Sequence, residues 1–250
     1  MFKKYWKFFV IFWSVVLVGI IGVFVFFWLI SAGKLGFMPT FEELENPNNR
    51  FASEVYFADG PIMNRYFEKE NRKYIEYREI PQSVIDALIA TEDVRFYDHS
   101  GVDVRGLFRV AKGLLTANTS AGGGSTISQQ LAKMLFPRES DLNVFELAIR
   151  KFREWVIAVR LEKSYTKEEI LTMYLNKYDF LNLAVGISSA ADIYFQVPLD
   201  SLKVEQAAML IGMAKNSSYY NPVRRPELTL NRRNVVLSQM YKYDKITREE

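Results

Sequence analysis

The strongest constraint on this chain is an uncharged apolar run from Phe8 to Ile30. At ~1.5 Å per residue, a helix over this run exceeds ~30 Å, which is enough to cross the hydrocarbon core of a bilayer. The apolar region of a secretory signal is shorter, about 7–15 residues, so the run predicts an uncleaved transmembrane helix over residues 8–30. Lys3, Lys4 and Lys7 precede it. By the positive-inside rule, residues 1–7 are a cytoplasmic tail and the rest of the chain lies outside.

The composition excludes several classes of protein. The 250 residues include no Cys, so disulfides, Cys-based metal sites and Cys nucleophiles are excluded. The formal net charge is +3, and Lys and Arg are spread among Asp and Glu, so no nucleic-acid partner is predicted. The hydrophobic fraction of 49% is enough to bury a sizeable core in one or two domains.

Beyond the apolar run, the sequence predicts a connector and then a mainly α-helical domain. Residues 31–50 are punctuated by Gly, Pro and Asn, which is typical of a juxtamembrane connector. Residues 51–58, before Asp59-Gly60, indicate a short strand and turn. From Pro81, which suits a first helical position, helical spacing dominates, and residues 51–245 form the predicted domain. Residues 246–250 are expected to begin a linker within a longer protein. The predicted helices run from Pro81 to near Glu92, from an Asp103 cap through Leu114, from Ser125 to about Phe136, from Val144 to Leu161, from Ile170 to about Asn176, and over 183–195, 201–214 and 226–243.

The helix predicted at 144–161 carries one apolar stripe, and the helix after it has a start signal. Thr166 followed by Glu169 is a capping box, which marks a helix N-terminus. The stripe consists of Phe145, Ala148, Phe152, Trp155, Val156 and Val159.

Two adjacent carboxylates, Glu92 and Asp93, lie at a predicted helix end. A partly desolvated carboxylate aimed at a substrate proton acts as a general base. The simpler interpretation is a solvated helix end with a salt bridge to Arg95 or Arg105. The residues grouped with this pair are Phe96, His99, Gly101 and Asp103. His99 is the only His, and a single His is more often a hydrogen-bonded structural residue than a metal ligand.

A glycine-rich loop, Gly122-Gly123-Gly124-Ser125, leads into the next predicted helix. Such a loop presents amide N–H groups and the positive end of a helix dipole, which together suit phosphate. At helical spacing Thr126, Gln129 or Gln130, and Lys133 form a polar stripe that suits a diphosphate. Because Lys133 does not follow the glycines directly, the pattern is not a P-loop. A flexible loop before an ordinary amphipathic helix is the alternative, and spacing alone leaves it open.

The predicted helix at 144–161 contains Arg150-Lys151-x-x-Glu154. Glu154 follows Arg150 by four residues, so the simplest interpretation is an exposed ion pair along one helix. The functional interpretation is a second carboxylate beside a cationic cluster. Asn176 ends the next helix, where a helix C-cap is its simplest role.

Together these segments resemble the peptidoglycan glycosyltransferase domain, glycosyltransferase family fifty-one, which occurs in class A penicillin-binding proteins and in monofunctional transglycosylases. The resemblance covers about residues 75–245, and four motifs occur in the family's order, which makes it specific. Arg232 or Arg233, ahead of Val236-Leu237, resembles the arginine near the end of that domain. The four motifs are Glu92-Asp93-x-x-Phe96-x-x-His99-x-Gly101-x-Asp103, Gly123-Gly124-Ser125-Thr126-Ile127-Ser128-Gln129-Gln130-Leu131-Ala132-Lys133, Arg150-Lys151-x-x-Glu154 and Ile170-Leu171-x-x-Tyr174-Leu175-Asn176.

The resemblance implies a mainly α, lysozyme-like domain behind one transmembrane helix, with a cleft facing the membrane. It implies that Glu92 deprotonates the GlcNAc 4-hydroxyl of lipid II, which then attacks the MurNAc anomeric carbon of a lipid-linked glycan strand with inversion. Undecaprenyl diphosphate leaves, stabilised by Lys133 and the loop amides. Glu154 is implied to orient the donor site or a nearby cation. The residues implied to bind substrate are Asp93, Phe96, His99, Gly123, Gly124, Ser125, Thr126, Gln129, Gln130, Lys133, Arg150, Lys151 and Asn176.

The resemblance also sets expectations for cofactors, partners and location. The sequence requires no cofactor, although some family members use a divalent cation, Mg²⁺ or Mn²⁺, at the diphosphate. The expected partners are lipid II, the lipid-linked glycan strand, the bilayer and other cell-wall synthesis proteins, in the bacterial inner membrane. The segment Leu107–Leu115 is apolar enough to enter the membrane interface, as this region does in the family, with core packing as the alternative.

Three departures from the family pattern concern the donor side. Met134 stands where the family usually has Asn, and Asp179–Asn182 replaces a glycine-containing turn. Glu146 stands where an Arg is common, with Arg138 as a candidate replacement for its charge. The S-x-x-K match at Ser164–Lys167 is typical of penicillin-binding transpeptidases, but it coincides with a helix cap and no Lys-Thr-Gly follows, so the match is interpreted as coincidental.

Two rival functions remain from the sequence. A lysozyme-like hydrolase or lytic transglycosylase also uses a helical domain and an acidic residue, but it does not need a diphosphate-binding site. A non-catalytic, membrane-anchored scaffold in a cell-wall complex needs neither the general base nor the diphosphate-binding site.

Overall fold

The computed structural model of this protein describes residues 2–40, 53–56, 62–66, 71–116, 123–135 and 143–249. Helix α1 covers Phe2–Ser31 and contains the apolar run. Within the described ranges, its segment Tyr5–Ser31 is the one helix long and apolar enough to cross a membrane, and its most apolar stretch is not buried against the rest of the chain.

Strands contribute two small sheets. Strand β1 (Ser53–Tyr56) pairs antiparallel with β2 (Ile62–Tyr66), which confirms the strand predicted within residues 51–58. The turn predicted at Asp59-Gly60 lies outside the described residues. Strand β3 (Asn71–Arg72) pairs in parallel with β4 (Ala184–Val185).

Helices make up most of the described chain, and this confirms the mainly α prediction. Thr126 lies just before α4, and its Oγ1 accepts a hydrogen bond from the Gln129 N–H at 3.2 Å, so this helix begins two residues later than predicted. Similarly, Pro81 is the N-cap residue of α2 and not its first helical residue. The helices are α2 (Gln82–Glu92), α3 (Val104–Leu115), α4 (Ile127–Leu135), α5 (Val144–Ser164), α6 (Lys167–Lys177), α7 (Ile187–Phe195), α8 (Val204–Ala214) and α9 (Pro226–Lys242).

The core is formed where α2, α4, α6, α8 and α9 meet. Leu88, Leu131, Leu171, Ile211 and Val236, one from each helix, are fully buried. Burying an aliphatic side chain of this size contributes about 1.5–3 kcal/mol, so these contacts fix the helices that carry the motifs.

Gly212 sets how closely α8 and α9 approach each other. A Cβ at this position would lie 3.2 Å from Cγ of Arg232, so a larger side chain would force the Arg232 side chain to shift. The Gly212 carbonyl also accepts a hydrogen bond from Nε of Arg232 at 3.4 Å. The close packing therefore holds the Arg232 side chain in place, and the position of its guanidinium matters for the site described below.

Two different faces of the long helix α5 contact other parts of the chain. Its buried face is different from the predicted stripe, and Phe152, in the middle of that stripe, contacts α1 instead of the core. The ring of Phe152 meets those of Phe26 and Phe27 edge to face, with centroids 5.3 and 5.7 Å apart. Phe145, in the same stripe, is 71% exposed. The buried face consists of Arg153, Glu154, Ile157, Ala158 and Leu161.

Candidate active site

A cleft with a volume of about 670 Å³ brings together the first two sequence motifs. The C-terminal end of α2 forms one part of its wall, and the glycine loop with the start of α4 forms another. Residues of α3, α8 and α9 complete the lining. The sequence-predicted residues that line it are Glu92, Asp93, Gly123, Gly124, Ser125, Thr126, Gln130 and Lys133.

Glu92 is held in the cleft by two side chains. Its Oε1 accepts from Nη2 of Arg232 at 3.1 Å, and its Oε2 accepts from Nε2 of Gln130 at 3.0 Å. The Glu92 side chain is 14% exposed and that of Arg232 is 11% exposed, so the pair is partly desolvated but still accessible. Arg233 instead bonds to its neighbour Asn234 and faces outward. The sequence left Arg232 and Arg233 as candidates for the arginine near the domain's end, and Arg232 is therefore the one at the site.

The simple interpretation of Glu92 as a solvated helix end paired with Arg95 or Arg105 is wrong. Arg95 pairs with Asp103, whose carboxylate also caps α3 by accepting from the Gly106 N–H at 2.9 Å. Burial by itself raises the pKa of Asp103, but the bonds from Arg95 and Gly106 outweigh it and lower that pKa.

Tyr174 supports Glu92 from the core. Its hydroxyl donates to Oε1 of Gln130 at 3.0 Å, and the same amide donates to Glu92. The Tyr174 side chain is fully buried, and this burial, followed by the nearby Glu92 charge, raises the pKa of its phenol well above the ordinary value. The phenol therefore stays protonated and remains a donor, which fixes the orientation of the Gln130 amide.

Asp93 is adjacent to Glu92, but its carboxylate is bonded to other groups of the protein. Its carboxylate accepts from the Ile127 N–H at the start of α4 at 3.0 Å and contacts Nε2 of His99 at 3.0 Å. His99 Nδ1 accepts from the Gly101 N–H, so the ring proton lies on Nε2 and points at Asp93. The Asp93 and His99 side chains are 4% and 7% exposed. Both residues join the first motif to the second, and His99 does not line the cleft.

Phe96 and Gly101 complete this first-motif loop behind the cleft. Phe96 is fully buried, with the ammonium of Lys167 4.3 Å from its ring centroid. Gly101 has a φ of +94°, and a Cβ there would lie 2.7 Å from the backbone of Ala158 in α5. Only glycine allows the loop to lie this close to the helix. Phe96 therefore lies in the core and not at the cleft surface.

The start of α4 is already capped by protein groups, contrary to the expectation of free amides for phosphate. The Ile127 N–H bonds to Asp93, and the Gln129 N–H bonds to Thr126. Gln129 itself is buried and directs Nε2 toward the Gly101 carbonyl at 3.4 Å. The stripe along the cleft is thus Thr126, Gln130 and Lys133, and the Gly123–Ser125 backbone supplies the loop part of the lining.

The third motif reaches the cleft rim through one contact. Lys151 Nζ donates to Oγ of Ser125 at 3.0 Å and pairs with Glu154 at 2.8 Å. Glu154 is 8% exposed, so the interpretation as an exposed pair with Arg150 is wrong. Neither Glu154 nor Arg150 lines the cleft itself.

Asn176 lies away from the cleft and ties α6 to the segment before α2. Its side chain accepts from the Ile75 N–H at 3.0 Å and donates to the Ile75 carbonyl at 2.9 Å. The interpretation as a helix C-cap is wrong, because that position belongs to Tyr178.

The structure shows where the residues that depart from the family pattern lie, apart from Arg138. Met134 lines the cleft. Glu146 completes a capping box with Asn143, accepting from its N–H at 2.8 Å, while Arg138 lies outside the described residues. At the end of the Asp179–Asn182 segment and directly after it, Leu181, Asn182 and Leu183 all adopt positive φ, between 52° and 67°. Three such residues in a row are strained, because residues other than glycine rarely adopt positive φ.

The cleft also contains cations that sequence reasoning missed. Arg109 comes from α3, Lys215 follows α8 and Lys242 ends α9. Arg109 lies in a largely apolar stretch and Lys215 directly follows one, and no local pattern distinguishes these three residues from other basic residues of the chain. Only the packing of three distant segments brings them to one cavity.

The described residues offer no protein-built metal site. No group of three or more His, Cys, Asp or Glu side chains among them is placed to hold an ion. Of the carboxylates at the cleft, Asp93 and Asp103 are already committed to His99 and Arg95. The donor set of the described residues therefore does not fit a cation held by protein side chains.

The family assignment follows from comparison with known proteins. The family model described as Transglycosylase matches residues 59–241, and the chain therefore belongs to the transglycosylase family. This confirms the family that the four motifs predicted. It also confirms that the chain contains a peptidoglycan glycosyltransferase domain.

Curated proteins similar to this chain include penicillin-binding proteins 1A. The one from Escherichia coli is 37% identical over 213 residues, which is 85% of this chain and 24% of that protein. The one from Pseudomonas aeruginosa is 38% identical over 205 residues, or 82% and 24% of the two chains. Among solved structures, penicillin-binding protein 1A from Haemophilus influenzae aligns with 81% of this chain and 20% of that chain, at 22% identity and a TM-score of 0.44. The chain spans about a quarter of the length of these curated relatives.

Proposed function

We propose that this chain polymerises peptidoglycan glycan strands, with Glu92 as general base. In this reaction the GlcNAc 4-hydroxyl of lipid II loses its proton to Glu92 and forms a bond to the anomeric carbon of the lipid-linked strand. The bond from that carbon to the diphosphate breaks with inversion, and undecaprenyl diphosphate leaves. The observation that carries the proposal is that Glu92 and the Gly123–Lys133 stretch line one cleft.

The environment of Glu92 suits a base. Arg232 and Gln130 each donate one hydrogen bond to the carboxylate, which favours its ionised form and fixes its direction. Each carboxylate oxygen retains a further lone pair, so a sugar hydroxyl can donate to it without displacing either partner. A general base in this position contributes roughly 10²–10⁴-fold to a reaction rate.

The cations of the cleft suit two substrates that both carry a diphosphate. Lys133 and Arg109 lie on the side of the glycine loop, and Arg232, Lys215 and Lys242 lie on the side of α8 and α9. Fixed positive charge near the departing diphosphate stabilises the charge that develops as the bond breaks. We assign the Lys133 side to the donor, because it also contains the loop amides.

The same lining argues against a hydrolase. A typical glycosidase uses two carboxylates, one on each side of the scissile bond. Here Asp93 is buried against His99, and Asp103 is paired with Arg95. Glu154 does not reach the cleft. An inverting transfer needs only one base when the leaving group is a stabilised anion, so Glu92 alone suffices.

We further propose that α1 anchors the cleft at the outer face of the bacterial inner membrane, with the N-terminus in the cytoplasm. Both substrates are lipids, so an anchor raises their effective concentration at the cleft. Helix α3 supports this arrangement, because Val104 and Phe108 are 57% and 73% exposed and none of its described side chains joins the core. That exposure favours an interfacial role for α3 over the core-packing alternative.

The experiment that tests this function compares two substrates. The full chain, purified in detergent micelles, is supplied with fluorescent lipid II in one reaction and with finished peptidoglycan in another. We expect glycan polymer from lipid II and no soluble fragments from peptidoglycan. Fragments without polymer would support the hydrolase, and turnover of neither substrate would support the scaffold.

A further inference from the structure

Lys167 occupies a position that is unfavourable for the helix it begins. It is the first residue of α6, where the positive end of the helix dipole disfavours a cation. It is also the Lys of the S-x-x-K match, and it does not line the cleft. Its side chain is nevertheless only 22% exposed. A residue that contradicts a local preference in this way indicates that another constraint applies at its position.

The ammonium of Lys167 joins two segments of the chain. It donates to the backbone carbonyl of His99 at 2.6 Å and pairs with the carboxylate of Glu162, in the last turn of α5, at 2.7 Å. The Glu162 side chain is 4% exposed, and its carboxylate also accepts from the hydroxyl of Ser128 at 2.5 Å. Lys167 therefore connects the first-motif loop, through Glu162, to the start of α4.

These bonds are part of a closed ring. From His99 the ring continues through its imidazole to Asp93 at 3.0 Å, and from Asp93 to the Ile127 N–H at 3.0 Å. Ile127 precedes Ser128 in the chain, and this peptide link closes the circuit. Of the six members, only Asp93 lines the cleft. We call the circuit the hydrogen-bond ring, and its members are Asp93, His99, Lys167, Glu162, Ser128 and Ile127.

The hydrogen-bond ring joins the two parts of the cleft on which the proposed reaction depends. Asp93 directly follows Glu92, and Ser128 belongs to the same helix as Lys133. A closed ring resists a change in the separation of α2 and α4, because any displacement must strain several bonds at once. The separation matters because a misplacement of about 1 Å can lower a reaction rate by roughly 10²-fold.

Stability alone does not explain an ion pair at this place. Taking two charges out of water costs free energy, and a buried ion pair is often no more stabilising than well-packed apolar side chains of similar volume. The pair differs from apolar packing in its directed bonds. The Glu162 carboxylate is bonded to both Lys167 and Ser128, and these bonds fix the position of one helix against the next.

We propose that Lys167 is a positioning residue, which closes the hydrogen-bond ring and thereby holds Glu92 and Lys133 in register across the cleft. Lys167 touches no substrate and acts only through the ring. The inference rests on the proposed function, because the register matters only for a reaction that uses both residues.

The test separates positioning from stability. Removing Lys167 alone leaves the charge of Glu162 buried and unpaired, which destabilises a fold by itself. The ring is therefore opened with the double variant Lys167→Met/Glu162→Met, which replaces both charges with apolar side chains of similar size. Lys163→Met, at an exposed position of the same helix as Glu162, is the matched control. The full chain is supplied with fluorescent lipid II, and kcat, KM and the thermal unfolding midpoint are measured.

We expect the double variant to unfold close to the wild-type temperature, with kcat lower by roughly ten- to a hundredfold and little change in KM. Lys163→Met should match wild type in all three quantities. The double variant is then combined with Lys133→Ala. If the ring acts by aligning Lys133 with Glu92, opening it matters less once Lys133 is absent, so the fold-loss in kcat should be smaller in that background.

Wild-type kcat in a folded double variant would overturn the inference, as would equal fold-losses with and without Lys133. If the double variant does not fold, Ser128→Ala decides, because it opens the ring at the bond to Glu162, keeps the ion pair and places a strong helix former in α4. A few-fold fall in kcat is then expected, and an unchanged kcat would overturn the inference. Absence of polymer from the wild-type chain would instead overturn the proposed function, and the inference with it.

Discussion

The two sides of the cleft are built in different ways. On the Glu92 side, Tyr174, Gln130 and Arg232 fix the carboxylate through hydrogen bonds that begin in the core. On the α3 side, the described positions that are buried are the two glycines, Gly106 and Gly113, and no described side chain of that helix joins the core. The Glu92 side is therefore organised from the core, whereas the described side chains of the α3 side make no contact with the core. This division suits an enzyme whose chemistry needs fixed geometry and whose substrates arrive from a membrane.

The largest expected effect is on the Glu92 side. Glu92→Gln preserves size and hydrogen bonding but removes the base, so we expect the polymerisation rate to fall by roughly 10²–10⁴-fold. Lipid II binding and the thermal unfolding midpoint serve as controls and should remain close to wild type. A rate near that of wild type would remove the assigned base from the mechanism.

The next largest effect is expected at Lys133. Lys133→Ala removes one electrostatic stabiliser of the leaving diphosphate, and such removals cost roughly 10²–10³-fold at most. The rate is measured with saturating lipid II, so that binding does not limit it. Unchanged turnover would mean that the donor diphosphate is bound elsewhere.

Arg232 and Arg233 form a matched pair, because they are adjacent on α9 and only one reaches Glu92. Arg232→Ala removes a charged hydrogen bond of about 1.5–3 kcal/mol, which corresponds to roughly ten- to a hundredfold in rate. Arg233→Ala removes a half-buried cation that bonds to Asn234 and not to Glu92, and it should leave the rate unchanged. Equal losses in both variants would contradict the specific role of Arg232.

A smaller loss is expected at Tyr174. Tyr174→Phe removes the hydroxyl that orients Gln130 but leaves the ring in the core, and one hydrogen bond of this kind contributes about 0.5–1.5 kcal/mol. We expect a few-fold fall in kcat with little change in KM, because the effect reaches substrate only through Glu92. A change in KM alone would argue against a role in positioning the base.

The smallest effect is expected at Asp103, and it concerns stability. Its pKa is lowered in the folded protein, so the ionised form stabilises the fold above the ordinary pKa of ~3.9. This contribution is lost as pH falls through the lowered value. Asp103→Ala should therefore lower the free energy of unfolding by about 1 kcal/mol at pH 7, the typical contribution of a helix cap, and by less near pH 3. A difference that does not change between these pH values would contradict the role of the ionised cap.

Much of the fold was predictable because its signals are local. The Thr166–Glu169 capping box and the apolar run before Ser31 each depend on a few neighbouring residues, and the structure contains both features. The stripe on α5 was also found, but its partner was not, because sequence alone cannot say that Phe152 meets α1 instead of the core.

Only the site residues that belong to a single local motif could be predicted. Glu92 and Lys133 were identified from spacing and family resemblance, and they line the same cleft. Spacing could not decide between Gln129 and Gln130, or between Arg232 and Arg233, since neighbours differ only in the direction that packing gives them. Lys215 gave no signal, because its place in the cleft depends on segments far apart in the chain.

In the proposed reaction, Glu92 touches the acceptor hydroxyl in the cleft that also binds the donor diphosphate. The most direct test of this contact is an experimental structure of the Glu92→Gln variant in lipid with lipid II bound. We expect the GlcNAc 4-hydroxyl within ~2.6–3.2 Å of the introduced amide, which is hydrogen-bonding distance, and a diphosphate against Gly123, Gly124 and Lys133. Lipid II bound with its sugar outside this cleft, or with position 92 facing only protein, would contradict the account.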